Sequence, residues 1–323
     1  MVENTFTDIT RASVPAMDEL VGKVFTVLDK GHIRVIDYMG GDEAIVQAAR
    51  VSYGKGTKKI SEDRGLIRYL MRHRHTTPFE MCELKLHVRI PMDHWRQWIR
   101  HRTASVNEYS TRYSEAIDDK QCTLPGEWRF QSGTNKQGSG EFMPEEEGAH
   151  WTGGERAFHE YAARVYQDRI DAGIAREQAR KDLPLSTYTE AYWKIDLHNL
   201  LHFLSLRMDS HAQKEIRSYA NIIGNEIVAP WVPHSWEAFN DYRLCAVSFS
   251  RLELEALNLW ISTIGNSMSA EEMEQGTSEL RELVQPWGWL KPSNRERVEF
   301  EGKLERLGLV LPFFRDSEVE DHG

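Results

Sequence analysis

Residues 100–113 read RHRTASVNEYSTRY and crowd chemistry-bearing side chains into one short run. Arg100, His101 and Arg102 stand together, Asn107 and Glu108 follow, and Ser110, Arg112 and Tyr113 close the run. Arginine presents a planar fork of donors that matches the oxygens of a phosphate or carboxylate in pairs. With a serine hydroxyl and backbone amides beside it, this composition suits an anionic, hydrogen-bonding ligand, with Arg100 and Arg112 placed for a nucleotide phosphate. Read alone, the run equally suits a solvated basic helix end capped by serine and asparagine.

A second cluster lies in DLHNLLHFLSLRMDSHAQ, residues 196–213. His198 and His202 are one helical turn apart, as are Arg207 and His211. A His-x-x-x-His pair on a helix can hold zinc, but Asn199 stands where a zinc protease carries its general-base glutamate. A metal-dependent nucleotide hydrolase using His198, His202 and His211 is the competing enzymatic reading. Arg207 adjoins an apolar stripe, and burying an unpaired cation is costly. It therefore needs a partner, either Asp209 or a ligand. A third cluster, RHRHTTPFE, places His73, His75, Thr77 and Glu80 where Pro78 ends a helix. It reads as one wall of a pocket, or as a helix terminus whose basic residues suit the dipole.

Several signatures are absent: no Gly-x-Gly-x-x-Gly after a strand, no P-loop lysine motif and no Gly-x-Ser-x-Gly elbow. Of the three cysteines, Cys82, Cys122 and Cys245, neither Cys82 nor Cys122 has an activating neighbour in sequence, which argues against a cysteine nucleophile. Their odd count and spacing fit a reducing cytoplasm.

The elements that must position these clusters follow from periodicity. Residues 1–21 read as a leader. KVFTVLD (23–29) and HIRVIDY (32–38) read as a hairpin joined at Lys30-Gly31. Asp42 is placed to cap a helix running to about Val51, and Ser61 one over 61–74 with Leu66, Ile67, Leu70 and Met71 inward. ELKLHVRIP alternates as a half-buried strand. A helix carrying Trp95, Trp98 and Ile99 then leads into the 100–113 run, read as a loop. The segment 114–155 is an inserted loop, glycine-, serine- and glutamate-rich over 131–154. Helix returns over 155–172 and 174–182, and 196–228 is a single long periodic helix with Leu197, Leu200, Leu201 and Leu204 on its buried stripe. Capping boxes are expected at Ser269/Glu272 and Ser293/Glu296, with Gly308 as a final C-cap.

At 323 residues, 40% apolar and 28% charged, the chain has the composition of a soluble globular protein. Its net charge of -10 opposes general nucleic-acid binding, which needs a basic face. An RNA-binding regulator using Arg96, Arg100, Arg102 and Arg112 with Trp95 and Trp98 is thereby disfavoured. No apolar run approaches the ~20 residues of a membrane span, and the first residues lack the pattern of a signal peptide.

The blocks AARVSYGKG, LMRHRHTTPFE, RQWIRHRTASVNEYSTRYS, ARKDLPLSTYTE and LRMDSHAQKEI occur in this order. Together they resemble the flavin-dependent thymidylate synthases over residues 22–240, with 241–323 a mostly helical C-terminal extension. The resemblance implies an α+β fold, a mixed β-sheet flanked by long helices and not a Rossmann fold. It implies a methyltransferase that converts dUMP to dTMP with 5,10-methylenetetrahydrofolate as carbon donor. NADPH would supply the reducing equivalents through non-covalent FAD, in a homotetramer with shared active sites. Carried over by motif, Gln97, Arg100, Glu108, Tyr109, Ser110, Thr111, Arg112, Arg180 and Arg207 would hold dUMP. Arg207 would stabilise charge on the uracil, with Ser110 a positioning hydroxyl in the catalytic group. Thr77, Arg100, His101, Arg102, Glu108, Asp196, His198 and His202 would touch FAD, and His75 and Tyr113 would face the folate. Asp196, His198 and His202 depart from the family's usual Asn, Arg and Asn, and Thr111 from a frequent Gly.

Overall fold

The computed structural model describes residues 13–51, 63–111, 119–133, 138–264 and 269–311. Two compact units divide the chain, Met1–Cys245 and Ala246–Gly323.

The first unit is built on a five-stranded sheet of order β1-β2-β3-β7-β4. After a short helix α1 (Pro15–Asp18), β1 (Val24–Val27) and β2 (Gly31–Met39) form the expected hairpin. β3 (Glu83–Pro91), β4 (Ser105–Glu108) and β7 (Tyr188–Asp196) complete the sheet. Its ladders are antiparallel, and among the described residues a parallel pairing occurs only at the isolated bridge Val21–Val35. The α+β class is thus the one observed.

Period-two alternation explains how the sheet carries a core. Leu84, Leu86, Val88 and Ile90 of β3 are fully buried, as are Ile33 and Val35 of β2 and Trp193 of β7. Helices cover this face: α5 (Met92–Trp98) with Trp95 and Trp98, α8 (Leu197–Arg207) with Leu200, Phe203 and Leu204, and α9 (Lys214–Ile222) with Ile216 and Tyr219. Trp98 is the hub, 5.0 Å from the Trp193 ring and 4.8 Å from Phe203. The opposite face is polar, where His87 meets Glu190 at 3.0 Å and stacks on Tyr192.

α2 (Asp42–Arg50), α3 (Asp63–Arg72) and α4 (Thr77–Glu80) flank the sheet, and Ile67, Leu70 and Met71 of α3 are buried as the periodicity predicts. The proposed cap Ser61 lies outside the described residues. Asp42 does not cap α2, whose N-cap is Gly41. Its carboxylate instead accepts from His234 N, Ser235 N and Ser235 Oγ, capping α11 (Pro233–Phe239) across the fold.

The reading of 131–154 as loop fails over most of its length. β5 (Arg129–Gln131) pairs with β6 (Ser139–Phe142), and α6 runs from Glu145 to Asp171. Three glutamates open α6, favourable at the positive end of the helix dipole. Gly148 seats the helix against Pro125, where an added Cβ would lie 1.8 Å from the Pro125 carbonyl oxygen. Packing therefore overrides the local glycine content.

Residues 196–228 are not one helix. α8 ends at Arg207, the chain turns through 208–213, and α9 starts at Lys214, passing at Ile223–Val228 into a π-helical stretch ahead of α10 (Ala229–Trp231). The break has a local cause: the Asp209 carboxylate accepts from the His211 amide and ring at 2.8 Å each, competing with helical bonding. α7 (Arg176–Ala179) and a 3-10 turn occupy 176–182.

In the second unit, α12 (Arg251–Leu259), α13 (Ala270–Val284) and α14 (Arg295–Arg306) enclose Ala256, Leu280, Trp289, Phe300 and Leu304. The Ser269/Glu272 capping box is present, and a second stands at Ser250/Glu253. The Ser293/Glu296 box is not formed, because Asn294 is the cap and accepts from Arg297 N at 3.0 Å. Gly308 adopts φ +70° beyond α14, as expected of a C-cap glycine.

Candidate active site

Two elements bring the sequence clusters together. β4 lies at the sheet edge against β7, pairing Val106 with Trp193 and Glu108 with Ala191, and Tyr109 N extends the ladder to Glu190 O at 2.8 Å. The signature run is therefore partly a strand, where a loop was expected. The β4 side chains are exposed. Glu108 accepts from Thr189 Oγ1 at 2.8 Å, and Thr111 accepts from Arg180 Nη1 at 2.6 Å, so Arg180 joins the signature from 69 residues away. Ser110 follows Tyr109 at this edge, half-buried. Arg112 and Tyr113 lie outside the described residues.

The other element is the C-terminal end of α8. Arg207 Nε donates to His101 Nε2 at 3.1 Å, and its Nη2 donates to the Gln97 carbonyl at 3.2 Å. Neither partner is Asp209, which is engaged by His211. Both acceptors are neutral, and burial lowers the Arg207 pKa from the usual guanidinium range. His101 is held by its amide to Trp98 O at 3.0 Å and packs edge-on against Phe203. Burial, then the Arg207 charge and His202, lower its pKa to about 4. Gln97 Nε2 donates to Gln213 Oε1 at 2.5 Å, linking α5 to the 208–213 turn. Arg100 and Arg102, beside His101, are exposed.

His202 connects this corner to a cavity of about 320 Å³ with a floor of Met71, Phe79, Leu201 and Phe239. His75, Thr76, His198, His202, Ser205, Arg74 and Arg243 supply its polar wall. Arg74 sits just past α3 with φ +60°, a left-handed conformation that costs a non-glycine residue about 1–2 kcal/mol. Burial, then the Arg74 charge, lower the Arg243 pKa. Two cations and an apolar floor are a donor set fit for part of a ring-bearing, phosphorylated cofactor. Thr77 opens α4 beside this wall. The Asp196 carboxylate is occupied within the fold, where it caps α8 by accepting from Asn199 N and Nδ2.

Sequence reasoning missed Arg243, which stands in no motif, and the contacts of Gln213 and Thr189, which stand inside LRMDSHAQKEI and ARKDLPLSTYTE but meet their partners only through the fold. Arg74 stands inside the block LMRHRHTTPFE, but nothing there signals its backbone conformation.

The metal reading finds no support. His198 and His202 line the 320 Å³ cavity, whereas His211 lines a different one, of about 810 Å³, with Gln213 and Arg217. Among the described residues no group of three or more His, Cys, Asp or Glu could hold a metal ion. Cys82 offers no nucleophile here: it is fully buried, and burial pushes its pKa up to about 12.

The family description "Thymidylate synthase complementing protein" matches residues 34–234, and the chain belongs to the flavin-dependent thymidylate synthase family. It is 50% identical over 274 residues to the flavin-dependent thymidylate synthase of Wolbachia pipientis wMel, covering 85% of this chain and 95% of that protein. With the enzyme of that name from Gluconobacter oxydans it shares 53% over 249 residues, 75% of this chain and 80% of that protein. Among solved structures it is similar to the UMP/dUMP methylase PolB from Streptomyces cacaoi bound with 5-Br dUMP. That match has TM-score 0.60 and 33% identity, over 68% of this chain and 99% of PolB.

Proposed function

We propose that this chain methylates dUMP at uracil C5 to give dTMP, taking its carbon from 5,10-methylenetetrahydrofolate and its reducing equivalents from NADPH through non-covalent FAD. The observation that carries the reading is Arg207, a half-buried cation with two neutral acceptors, held against His101 of the signature run. A preorganised, uncompensated cation is what uracil activation requires where no cysteine attacks the ring. Arg207 stabilises negative charge developing on the pyrimidine and so activates C5. Arg100, Arg112 and Arg180 hold the phosphate, and Gln97, Glu108, Tyr109, Ser110 and Thr111 complete the nucleotide wall. Ser110 orients and has no base beside it in the signature.

FAD, when bound, supplies the redox chemistry. Thr77, Arg100, His101, Arg102, Glu108, Asp196, His198 and His202 would hold it, joined by Arg74 and Arg243 of the cavity. His75 and Tyr113 face the folate. The exposed edge strand β4 suits a site completed by a second chain, in a homotetramer. No helix among the described residues is long and apolar enough to cross a membrane. The low cysteine count fits work in the cytoplasm, and the acidic balance fits a site that takes one nucleotide and no nucleic acid.

An absorbance spectrum followed by NADPH oxidation with and without dUMP tests the reading. Bound flavin with dUMP-dependent oxidation and dTMP formation is expected. A protein that takes up no FAD and oxidises no NADPH contradicts it. Hybrids of Arg207→Ala and Arg112→Ala chains test the shared site: recovered activity is expected, and no recovery in verified hybrids contradicts it.

A further inference from the structure

We infer that His101 is the positioning residue for Arg207, holding the guanidinium through its unprotonated Nε2 while leaving the arginine's charge uncompensated. The inference rests on the function proposed above for Arg207, but its geometry stands apart. Nε2 lies 3.1 Å from Arg207 Nε. Guanidinium is a donor at every nitrogen, so Nε2 must present its lone pair and the ring proton sits on Nδ1. A carboxylate in the same place would also fix Arg207, but it would neutralise the charge the pyrimidine needs. An imidazole and a backbone carbonyl fix it without doing so.

The surroundings of the ring hold it in this orientation. The His101 amide ties it to the end of α5, Phe203 packs 4.9 Å from its centroid, and His202 meets it edge-on at 5.9 Å. The titratable and charged groups facing it are Arg207 and His202, both from α8. Trp98 and Phe203 bring no charge. Protonating His101 would turn the acceptor into a second cation against Arg207, which agrees with its pKa of about 4. His202 lines the 320 Å³ cavity, so one imidazole separates the Arg207 corner from that cavity.

Two substitutions separate positioning from packing. His101→Phe keeps an aromatic ring and removes the acceptor, whereas His101→Gln keeps an acceptor that does not titrate. With turnover measured per bound flavin, His101→Phe is expected to lose about 10–100-fold in kcat, the scale of a hydrogen bond to a charged group. The KM for dUMP should move much less, and His101→Gln should recover most of the loss. As pH falls toward 4, kcat declines in the natural chain and holds in His101→Gln. In an Arg207→Ala background, His101→Phe should have almost no further effect, because the two act as one unit. Equal losses in both backgrounds, or His101→Gln no better than His101→Phe, would overturn the inference. A readout independent of turnover is the imidazole 15N spectrum at neutral pH. His101 should carry its proton on Nδ1, and that preference should weaken in Arg207→Ala. A proton on Nε2 would overturn the inference even in a fully active enzyme. If the chain forms no dTMP at all, the functional reading falls while the 15N spectrum still decides the positioning.

Discussion

The two halves of the candidate site are built from opposite materials. The Arg207 half grows out of the core: Trp98, Trp193 and Phe203 are each fully buried and hold His101 and the end of α8 in place. The β4 half lies at the edge of the sheet with exposed side chains, and hydrogen bonds from Thr189 and Arg180 tie it down. The difference assigns roles. A cation that must meet developing charge at a fixed distance belongs on a rigid interior, where packing pre-orients it. Groups that grip a phosphate belong where the ligand can enter.

The contrast can be broken at either end. Trp98→Ala removes the hub of the interior half, and such a truncation costs about 3–5 kcal/mol. A large fall in Tm is expected, with activity lost in step with folding; an unchanged Tm would mean the interior half does not depend on this cluster. At the edge, Arg180→Ala should raise the KM for dUMP by about 10–100-fold, for loss of a charge-assisted contact, and leave Tm nearly unchanged. A loss confined to kcat would contradict the phosphate role. Thr189→Val frees Glu108 and should cost about 1 kcal/mol in nucleotide binding, read by calorimetry; unchanged affinity would make that hydrogen bond incidental.

A smaller effect is a pH dependence of stability that belongs to the interior half alone. His101 titrates near 4 in the fold, and an unfolded histidine near 6.5. Between these values the unfolded chain binds the proton and the native one does not, so stability falls as pH drops through this window. The loss of Tm between pH 8 and pH 5 should therefore be smaller in His101→Gln than in the natural chain. An identical loss would place the proton elsewhere.

The sequence was more informative about one half than the other. Leu84, Leu86, Val88 and Ile90 announced β3 by alternation, and the 100–113 run announced itself by composition. Strand β7, beside the central β3, escaped because it begins inside one motif, ARKDLPLSTYTE, and ends at the start of the 196–213 cluster, so its alternation is split between them. The end of α8 was hidden by unbroken apolar periodicity through residue 223, which gives no sign that Asp209 would bond to His211 and stop the helix. That stop ends α8 at Arg207, so the least legible feature of the chain bears directly on the site. Arg243 and Thr189 were invisible for another reason: only the fold brings them to residues far away in the chain.

The most direct test of the central claim is the rate of dTMP formation by Arg207→Ala at saturating dUMP and folate, normalised to bound flavin. A fall of about 10²–10³, the scale for removing one preorganised electrostatic donor, with flavin still bound, is predicted. Turnover equal to that of the natural chain would show that Arg207 does not activate the pyrimidine.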